Sequence, residues 1–248
     1  MSTKVPVLSL VLPMYNEEAN AEKVTQELLQ ELTKAEIQHE LILVDNGSFD
    51  GTGLILAQLS QEYPTIKVVK VTQNQGYGWG IINGLHWASG DYLGFMGADG
   101  QIDPKDVIRV FREALEKNYH LCKVNRYYRE DGLVRKVVSH IFNKLFVYTF
   151  KVNVGDINGS PKIMTRLCYE KLTLSSKDWF LDAEVMLKAH DLSMTMGEVP
   201  VVFRRRNGGH SSVRVKTLWE FLRNMVAYRK RGAWNESSDL VWREGDPA

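Results

Sequence analysis

Residues 40–71 read ELILVDNGSFDGTGLILAQLSQEYPTIKVVKV and contain a strand, a loop, a helix and a second strand in turn. The mainly apolar run Glu40–Asp45 predicts a buried strand, and Asn46–Asp50 predicts a polar loop. A helix is expected from about Gly51 to Tyr63, followed by a strand over Ile66–Val71. This order indicates a parallel sheet covered by helices.

The same alternation precedes this stretch. Val5–Leu12 predicts a strand that ends at Pro13, and Asn16 is expected to cap the next helix. Glu17 and Glu18 would then lie in the first helical turn, where the helix dipole favours acidic side chains. An apolar stripe for the core face of this helix is formed by Val24, Leu28, Leu29 and Leu32.

The alternation also continues downstream. The predicted elements are a loop over Thr72–Gly80, a helix through Trp87, a strand over Tyr92–Met96 and a turn at Gly97–Gln101. Asp103 is expected to cap a further helix with Pro104 at its first position. The core face of that helix is predicted to carry Val107, Ile108, Phe111 and Leu115. The predicted fold class is therefore α/β, with a mostly parallel central sheet and helices on both faces.

Composition places the chain among ordinary globular proteins. Of its 248 residues, 44% are apolar and 25% charged, which excludes a disordered or collagen-like chain. Cys122 and Cys168 are expected to be interior residues of a protein from a reducing compartment, although one disulfide between them stays an alternative. No signal peptide is expected, and the longest apolar run, Val5–Met14, is too short to span a bilayer.

Charge is distributed unevenly along the chain. Residues 1–50 carry three basic and nine acidic side chains, whereas residues 204–231 carry nine basic and one acidic side chain. The C-terminal part is therefore expected to meet an anionic partner, which could be a phosphorylated molecule or an anionic membrane surface. Nucleic acid is not the expected partner, because no stacking platform or nucleic-acid motif accompanies the basic residues.

Two loop carboxylates are candidates for ligand binding. In doubly wound sheets ligands bind beyond the carboxyl ends of the strands, and Asp45 ends a predicted strand there. Asp99 and Gln101 lie on the turn after the strand predicted over Tyr92–Met96, and their oxygens suit a divalent cation that also binds a diphosphate. A capping role for Asp45 and a ligand-free turn around Asp99 are the alternatives.

Four segments in order resemble glycosyltransferase family 2, and within it the dolichyl-phosphate and polyprenyl-phosphate sugar synthases. They are LPMYNEE at 12–18, ILVDNGSFDGT at 42–52, NQGYGWGIINGLHWASGDYLGFMGADGQIDP at 74–104, and a distal set with DINGSPK at 156–162, WFLDAE at 179–184 and RNGGHS at 206–211. The resemblance implies a GT-A type fold, an inverting transfer, a GDP- or UDP-sugar donor, and Mg²⁺ or Mn²⁺.

The resemblance also implies roles for particular residues. The nucleotide-sugar donor is expected to contact Pro13, Tyr15, Glu17, Asp45, Gly76, Ala98, Asp99, Gln101, Lys162, Arg206 and Ser211. The acceptor is expected to contact Arg126, Arg135, Ser160 and Glu184, and the metal ion Asp99 and Gln101. The catalytic residues implied are Asp99, Arg206, Arg126, Arg135 and Asp182, with Arg206 offsetting charge on the departing diphosphate. Arg126 and Arg135 could instead be solvated loop residues.

Two positions depart from the family pattern. Gly97 stands where the first carboxylate of the family's Asp-x-Asp turn is expected, which predicts a weaker metal site. Asn46 replaces an aspartate that is common in the synthases, so the donor base and sugar are left open. A dinucleotide-binding alternative fails, because Ile81 occupies the position where the last glycine of the G-x-G-x-x-G pattern would stand.

The acceptor decides the mechanism. A lipid phosphate is already an anion and needs cations rather than a strong base, which the basic excess of the second half favours. The leading hypothesis is therefore sugar transfer to a polyprenyl phosphate. A saccharide hydroxyl acceptor with Asp182 as general base is the first alternative. A nucleotide-sugar-binding protein that has lost catalysis is the second, suggested by Gly97.

One GT-A domain is expected over residues 1–231, with a nucleotide-sugar-binding half at 1–119 and an acceptor-binding half at 120–231, followed by a polar tail at 232–248. The resemblance places the amphipathic stretches Val137–Phe150 and Leu218–Tyr228 at a membrane interface, whereas packed core helices are the alternative. The expectation is a peripheral protein on the cytoplasmic face, which reaches the lipid by surface adhesion or through a separate membrane-anchoring protein.

Overall fold

The computed structural model describes residues 7–129, 143–152, 154–204 and 223–229. Its strands are β1 (Leu8–Met14), β2 (His39–Asp45), β3 (Ile66–Lys70), β4 (Tyr92–Phe95), β5 (Leu121–Arg129), β6 (Lys162–Thr165) and β7 (Met196–Phe203). Its helices are α1 (Ala21–Lys34), α2 (Thr52–Glu62), α3 (Tyr77–His86), α4 (Pro104–Glu116), α5 (described over 143–150), α6 (Arg166–Leu172), α7 (Leu181–Asp191) and α8 (described over 223–229).

The strands form one seven-stranded sheet in the order β3-β2-β1-β4-β6-β5-β7. Only β6 runs against its neighbours, because it pairs antiparallel with both β4 and β5 while the other pairs are parallel. One apolar layer joins the sheet to α1, α2 and α4. A second layer on the opposite face joins it to α3, α6, α7 and the described parts of α5 and α8. The predicted α/β fold with helices on both faces is confirmed.

The prediction that Pro13 ends the first strand is wrong. Strand β1 continues to Met14, and Pro13 lies opposite Val44 of β2. On its other side β1 pairs with β4 only as far as Val11, so the residue without an N–H lies beyond the end of that ladder.

Asn16 does not cap α1, which corrects a second prediction. Helix α1 begins at Ala21, and Asn16 lies in the preceding loop with φ 54°. Asparagine tolerates this left-handed backbone, and its Oδ1 accepts a hydrogen bond from Phe49 N at 3.0 Å. Glu17 and Glu18 therefore lie in the loop rather than in the first helical turn.

The loop predicted over Thr72–Gly80 ends earlier, because α3 begins at Tyr77. Gly78 and Gly80 are thus helical. A side chain at Gly78 would clash with the backbone oxygens of Ser176 and Asp178, so glycine is needed there for close packing rather than for a loop.

The expected start of α4 is confirmed, but its core face is shifted. The Asp103 carboxylate accepts a hydrogen bond from Lys105 N at 3.0 Å, and Pro104 is the first helical residue. Leu115, which was expected in the core, is 41% exposed, and Ala114 is buried in its place.

A buried carboxylate joins β1, β2 and the start of β4. Glu40 accepts hydrogen bonds from Ser9 Oγ at 2.5 Å and from Ser89 N and Oγ at 2.6 and 2.8 Å. Its other oxygen lies 2.6 Å from Lys67 Nζ. Burial alone would raise the pKa of Glu40, but the hydrogen bonds from Lys67, Ser9 and Ser89 hold it below the usual value.

Both cysteines are buried and free, as expected for interior residues. Burial raises the pKa of each thiol to about 12. No helix among the described residues is both long enough and apolar enough to cross a membrane.

Candidate active site

The loops that follow β1 and β2 are joined at the carboxyl edge of the sheet. Asn16 N donates to Ser48 Oγ at 3.1 Å, and Glu17 N donates to Thr52 Oγ1 at 2.9 Å. Gly51 N in turn donates to Glu18 Oε2 at 2.8 Å. These contacts form one surface from two loops that are about thirty residues apart in sequence.

Asp45 and Asn46 lie side by side at the end of β2, and both are buried. Asp45 Oδ1 accepts a hydrogen bond from Ser48 N at 2.9 Å, which is the capping contact considered above. Asn46 Nδ2 donates to Gly76 O at 2.9 Å and thereby holds the start of α3. Its Oδ1 is buried with no hydrogen-bond partner in the described part of the chain.

Two aromatic side chains stand at the mouth of this edge. Tyr15 and Phe49 meet edge to face with their ring centroids 6.0 Å apart, and they are 41% and 83% exposed. Half-buried Pro13 precedes Tyr15 by two residues, and Glu17 accepts a hydrogen bond from Asn20 Nδ2 at 2.8 Å. Four donor residues implied by the resemblance, with Asp45 among them, are thus grouped at the ends of β1 and β2.

The turn after β4 carries the candidate metal ligands. Asp99 is partly exposed and its Oδ1 accepts a hydrogen bond from Gln101 N at 3.2 Å, while Ala98 beside it is buried. Gln101 Nε2 donates to Arg204 O at 2.9 Å, and Arg204 N donates to Gln101 O at 3.0 Å. Gln101 therefore fastens the end of β7 to the turn, a contact that sequence analysis did not anticipate.

Metal binding at this turn would depend on one carboxylate. Within residues 7–129, 143–152, 154–204 and 223–229, no group of three or more His, Cys, Asp and Glu side chains is placed to hold a metal ion. Mg²⁺ usually keeps several waters and uses one or two carboxylates together with substrate phosphates. The partly exposed carboxylate of Asp99 fits this way of binding Mg²⁺, in which the diphosphate of the substrate supplies further ligands.

Arg126 on β5 forms a two-pronged ion pair with Asp156. Its Nε and one terminal nitrogen donate to Asp156 at 2.6 and 2.8 Å, and its backbone N donates to the same carboxylate at 3.1 Å. Burial opposes ionisation of Asp156, but the Arg126 guanidinium holds its pKa below the usual range. Arg126 is therefore ordered by a buried carboxylate rather than being a solvated loop residue.

Lys123 binds the backbone of Asp156, the acidic partner in this ion pair. Its side chain is fully buried, and Nζ donates to Asp156 O at 2.6 Å and lies 2.9 Å from Glu198 Oε1. Glu198 also accepts hydrogen bonds from Gly155 N at 3.0 Å and from Asn125 Nδ2 at 2.8 Å. The backbone around Asp156 is thus fixed on both sides.

Lys162 and Asp182 form a second buried ion pair at this edge. The Lys162 ammonium also donates to Gly159 O at 2.9 Å, and Asp182 is only 4% exposed. Burial lowers the pKa of Lys162, although the neighbouring Asp182 acts in the opposite direction. Lys162, the candidate donor-binding residue, is therefore paired with Asp182, the candidate general base.

Glu184 holds the loop before α7. Its carboxylate accepts hydrogen bonds from Ser175 N, Ser175 Oγ and Ser176 N at 2.8 to 3.2 Å, and it lies 2.7 Å from Lys188 Nζ. These contacts fix the segment before α7. Its expected contact with the acceptor stays a prediction.

Tyr77 is a residue of this edge that sequence analysis missed. Its ring stacks on Trp179 with centroids 4.3 Å apart. Burial, followed by the carboxylates of Asp182 and Asp99, raises the pKa of Tyr77 well above its usual value. Ser160 Oγ donates to Phe95 O at 3.2 Å, which ties Ser160 to β4. Tyr77 lies within the glycine-rich segment quoted for 74–104. The sequence signal for it is an aromatic residue directly after a loop glycine.

The remaining expected site residues are Arg135, Arg206 and Ser211, and they lie outside the described residues, as do parts of both amphipathic stretches. Of the described residues, Asp99, Arg126, Ser160 and Lys162 lie at the edge where β4 and β5 end and β6 begins, with Asp182 paired to Lys162, and Pro13, Tyr15, Glu17 and Asp45 lie at the adjoining strand ends. Gly76 joins the two groups through its contact with Asn46. Their roles stay predictions.

The described part of the molecule is thus a mostly parallel α/β sheet with polar loops gathered at its carboxyl edge. The family model of glycosyl transferase family 2 matches residues 9–173, more than half of the chain. The chain belongs to glycosyl transferase family 2.

The names of two curated relatives indicate the kind of sugar transferase that this chain resembles. The chain is 28% identical over 246 residues to dolichol-phosphate mannosyltransferase of Pyrococcus furiosus, which covers 94% of this chain and 66% of that protein. It is 30% identical over 155 residues to undecaprenyl-phosphate 4-deoxy-4-formamido-L-arabinose transferase of Photorhabdus laumondii, covering 62% of this chain and 47% of that protein. The chain therefore spans about half to two thirds of the length of these relatives. Their names confirm the resemblance to polyprenyl-phosphate sugar synthases.

A solved structure shows the same fold. The crystal structure of glucosyl-3-phosphoglycerate synthase from Mycobacterium tuberculosis, in complex with Mn²⁺, uridine diphosphate and phosphoglyceric acid, matches with a TM-score of 0.71 and 20% identity. The match covers 93% of this chain and 80% of that one. The predicted GT-A type fold is thereby confirmed.

Proposed function

We propose that this chain is an inverting, nucleotide-sugar-dependent hexosyltransferase that transfers a sugar to a polyprenyl phosphate. Family membership and the names of the curated relatives support this reaction class. The observation that carries the proposal is that Asp99 and two ion pairs, Arg126–Asp156 and Lys162–Asp182, lie at the same edge of the sheet, where the end of β4 pairs with Lys162 of β6.

On the donor side, the nucleoside would lie against Pro13, Tyr15, Glu17 and Asp45, with Gly76 and Ala98 beside it. Asp99 and Gln101 would hold Mg²⁺ or Mn²⁺ together with the diphosphate. A bound divalent ion supplies electrostatic stabilisation of the departing nucleoside diphosphate. Arg206 and Ser211 would complete this side.

On the acceptor side, the described charges favour an anion over a hydroxyl. A hydroxyl needs a base to take its proton, and the Asp182 carboxylate is buried and already paired with Lys162. A lipid phosphate needs no such base. Arg126, with Arg135, would orient it, while Ser160 and Glu184 would support the acceptor side.

Helices α5 and α8 support a location at a membrane surface. Each helix buries one side, through Phe146 and Met225 respectively. Each also exposes apolar residues, with Tyr148 84%, Leu145 40% and Val226 54% exposed. Lys144 and Arg229 are exposed near them. Exposed aromatic and basic side chains together suit an anionic lipid surface, so we place the enzyme at the cytoplasmic face, by direct adhesion or through a membrane-anchoring protein.

The test is a matrix of purified full-length protein with radiolabelled UDP- and GDP-sugars, Mg²⁺ or Mn²⁺, and either a polyprenyl phosphate or a saccharide acceptor. Metal-dependent label in a chloroform-soluble product supports the proposal and identifies the donor. Label on the saccharide alone would replace it with the hydroxyl mechanism that uses Asp182.

A second outcome concerns catalysis itself. Donor binding without transfer to either acceptor would indicate a nucleotide-sugar-binding protein. Asp99→Asn is the matched loss-of-function variant, and Asp91→Asn is its control. Asp91 is an exposed aspartate at the start of β4, at the opposite edge of the sheet.

A further inference from the structure

Helices α1 and α4 pack on the same face of the sheet and leave an open groove between them, with a volume of about 310 Å³. The groove is lined by Lys34 from the last turn of α1 and by Lys105, Arg109 and Arg112 from α4. Glu31 is the one acidic residue among its described lining residues. The groove therefore carries four cationic side chains and one anionic side chain.

The three cations of α4 form a row along one side of the helix. Lys105, Arg109 and Arg112 are spaced by four and three residues, which places them on the same side. The row extends for about 10 Å at 1.5 Å per residue. Like charges at this spacing repel each other and destabilise a helix unless an anion lies nearby. The whole chain has a net charge of only +1, so the row is a local concentration of charge.

The neighbouring acidic groups compensate this charge only in part. Arg109 is held in place, because its terminal nitrogens donate to Asp106 Oδ1 at 2.6 Å and to Pro200 O at 3.3 Å. Lys34 Nζ lies 3.9 Å from Glu31 Oε1, which is a long distance for an ion pair. Lys105 and Arg112 are exposed, and within the described ranges neither forms an ion pair within 4.0 Å.

We propose that the groove between α1 and α4 docks an acidic segment of a partner protein. The row of cations is longer than a single phosphate group, whereas carboxylates repeat along a peptide and can meet each cation in turn. Arginine also matches the two oxygens of a carboxylate through paired hydrogen bonds. The groove lies on the face of the sheet opposite to α5 and α8, the helices that we place at the membrane, so a lipid surface is not its expected occupant.

The test measures binding of a fluorescein-labelled decaglutamate peptide by fluorescence anisotropy at about 50 mM salt, where exposed charges are weakly screened. Decaglutamine is the uncharged comparison peptide. The double variant Lys105→Glu/Arg112→Glu reverses the two cations that have no ion pair in the described structure. We expect this variant to bind decaglutamate about 10-fold more weakly than the wild type, and neither protein to bind decaglutamine.

The matched control is Lys23→Glu/Lys171→Glu, which changes the net charge by the same amount. Lys23 lies at the start of α1 and Lys171 on α6, both exposed and outside the groove. We expect this variant to lose less than about 2-fold in affinity, because long-range charge alone is screened. Thermal unfolding of both double variants checks that the fold is retained.

Equal losses in the two double variants would overturn the proposal, because general charge rather than the groove would bind the peptide. Wild-type protein that does not bind decaglutamate would overturn it as well. Displacement of the peptide by inorganic phosphate at constant ionic strength would make the groove a site for small anions. Adsorption to phosphatidylglycerol vesicles that is lost in Lys105→Glu/Arg112→Glu would make it a lipid-binding surface, and either result would overturn the peptide as its occupant.

Discussion

Gly97 is the residue at which the candidate metal site departs most from its family. A Cβ built on Gly97 would meet no atom closer than Asp99 Oδ1 at 3.9 Å, and its backbone is not in the left-handed region. The turn therefore has room for a second carboxylate. Its absence is a property of this residue and is not imposed by the surrounding fold.

Gly97→Asp is expected to strengthen divalent-ion binding in the presence of nucleoside diphosphate, on the order of 10-fold, because a second anionic oxygen ligand is added. Titration of Mn²⁺ into protein with saturating UDP or GDP measures the effect. Gly97→Ser fills the same space without the charge and is the control. Equal affinities in the two variants would contradict a metal site at this turn.

Asp99→Ala is expected to remove the metal-dependent part of donor affinity, since the described residues contain no group of three or more His, Cys, Asp and Glu side chains that could hold the ion instead. The measurement is nucleotide-sugar binding with Mg²⁺ and with a chelator. Asp91→Ala serves as control at the opposite edge of the sheet. A metal dependence that survives in Asp99→Ala would place the ion elsewhere.

The sequence predicts at which edge of the sheet these residues lie, but it does not predict which residues they contact. Asp45 and Asp99 end up at one edge because strand ends in a parallel sheet share an edge, which the alternating pattern predicts. The partners of Gln101 and Lys162 follow from tertiary packing. Gln101 meets Arg204 and Lys162 meets Asp182, and no local spacing or propensity encodes such pairings across the sheet.

At the scale of elements, the errors lie at boundaries. The pattern identified β1, α1 and α3, but α1 begins later and α3 earlier than expected. In both cases the boundary depends on a contact between a residue, Asn16 or Gly78, and a neighbouring loop. Asn16 bonds the loop after β2, and Gly78 admits the backbone of the segment before α7. Local capping rules cannot anticipate such partners.

The Glu40 network of β2 gives a stability prediction at this scale. Glu40→Ala removes the acceptor of Ser9 and Ser89 and is expected to lower the free energy of unfolding by about 2 to 3 kcal/mol at pH 7. Because the pKa of Glu40 is lower when folded than when unfolded, its stabilisation is present above about pH 5 and is lost as the pH falls further.

Urea unfolding at pH 7 and at pH 3.5 measures this difference. The wild type and Glu40→Ala are expected to differ less at the lower pH. Glu27→Ala, which removes an exposed glutamate of α1, is the control and should change stability by less than about 0.5 kcal/mol. A Glu40→Ala effect independent of pH would show that packing, rather than the charge, is what the carboxylate contributes.

For the whole molecule, the proposed membrane contact gives a prediction about the exposed sides of α5 and α8. Replacing Tyr148 and Val226 together by serine is expected to weaken adsorption to anionic vesicles several-fold, because both side chains are exposed on α5 and α8. Sedimentation with phosphatidylglycerol vesicles measures the change. Leu54→Ser, at an equally exposed apolar residue of α2, is the control. Equal adsorption of all variants would favour the packed-helix alternative.

The second half of the described chain holds two ion pairs, Arg126–Asp156 and Lys162–Asp182, that are largely shielded from water. Dissolved ions screen solvent-facing charges over about 10 Å at 0.1 M, but they cannot enter between groups packed inside the protein. Raising the ionic strength should therefore leave these contacts intact. A salt dependence of turnover would then report on the outer surface of the enzyme, where the substrates first arrive.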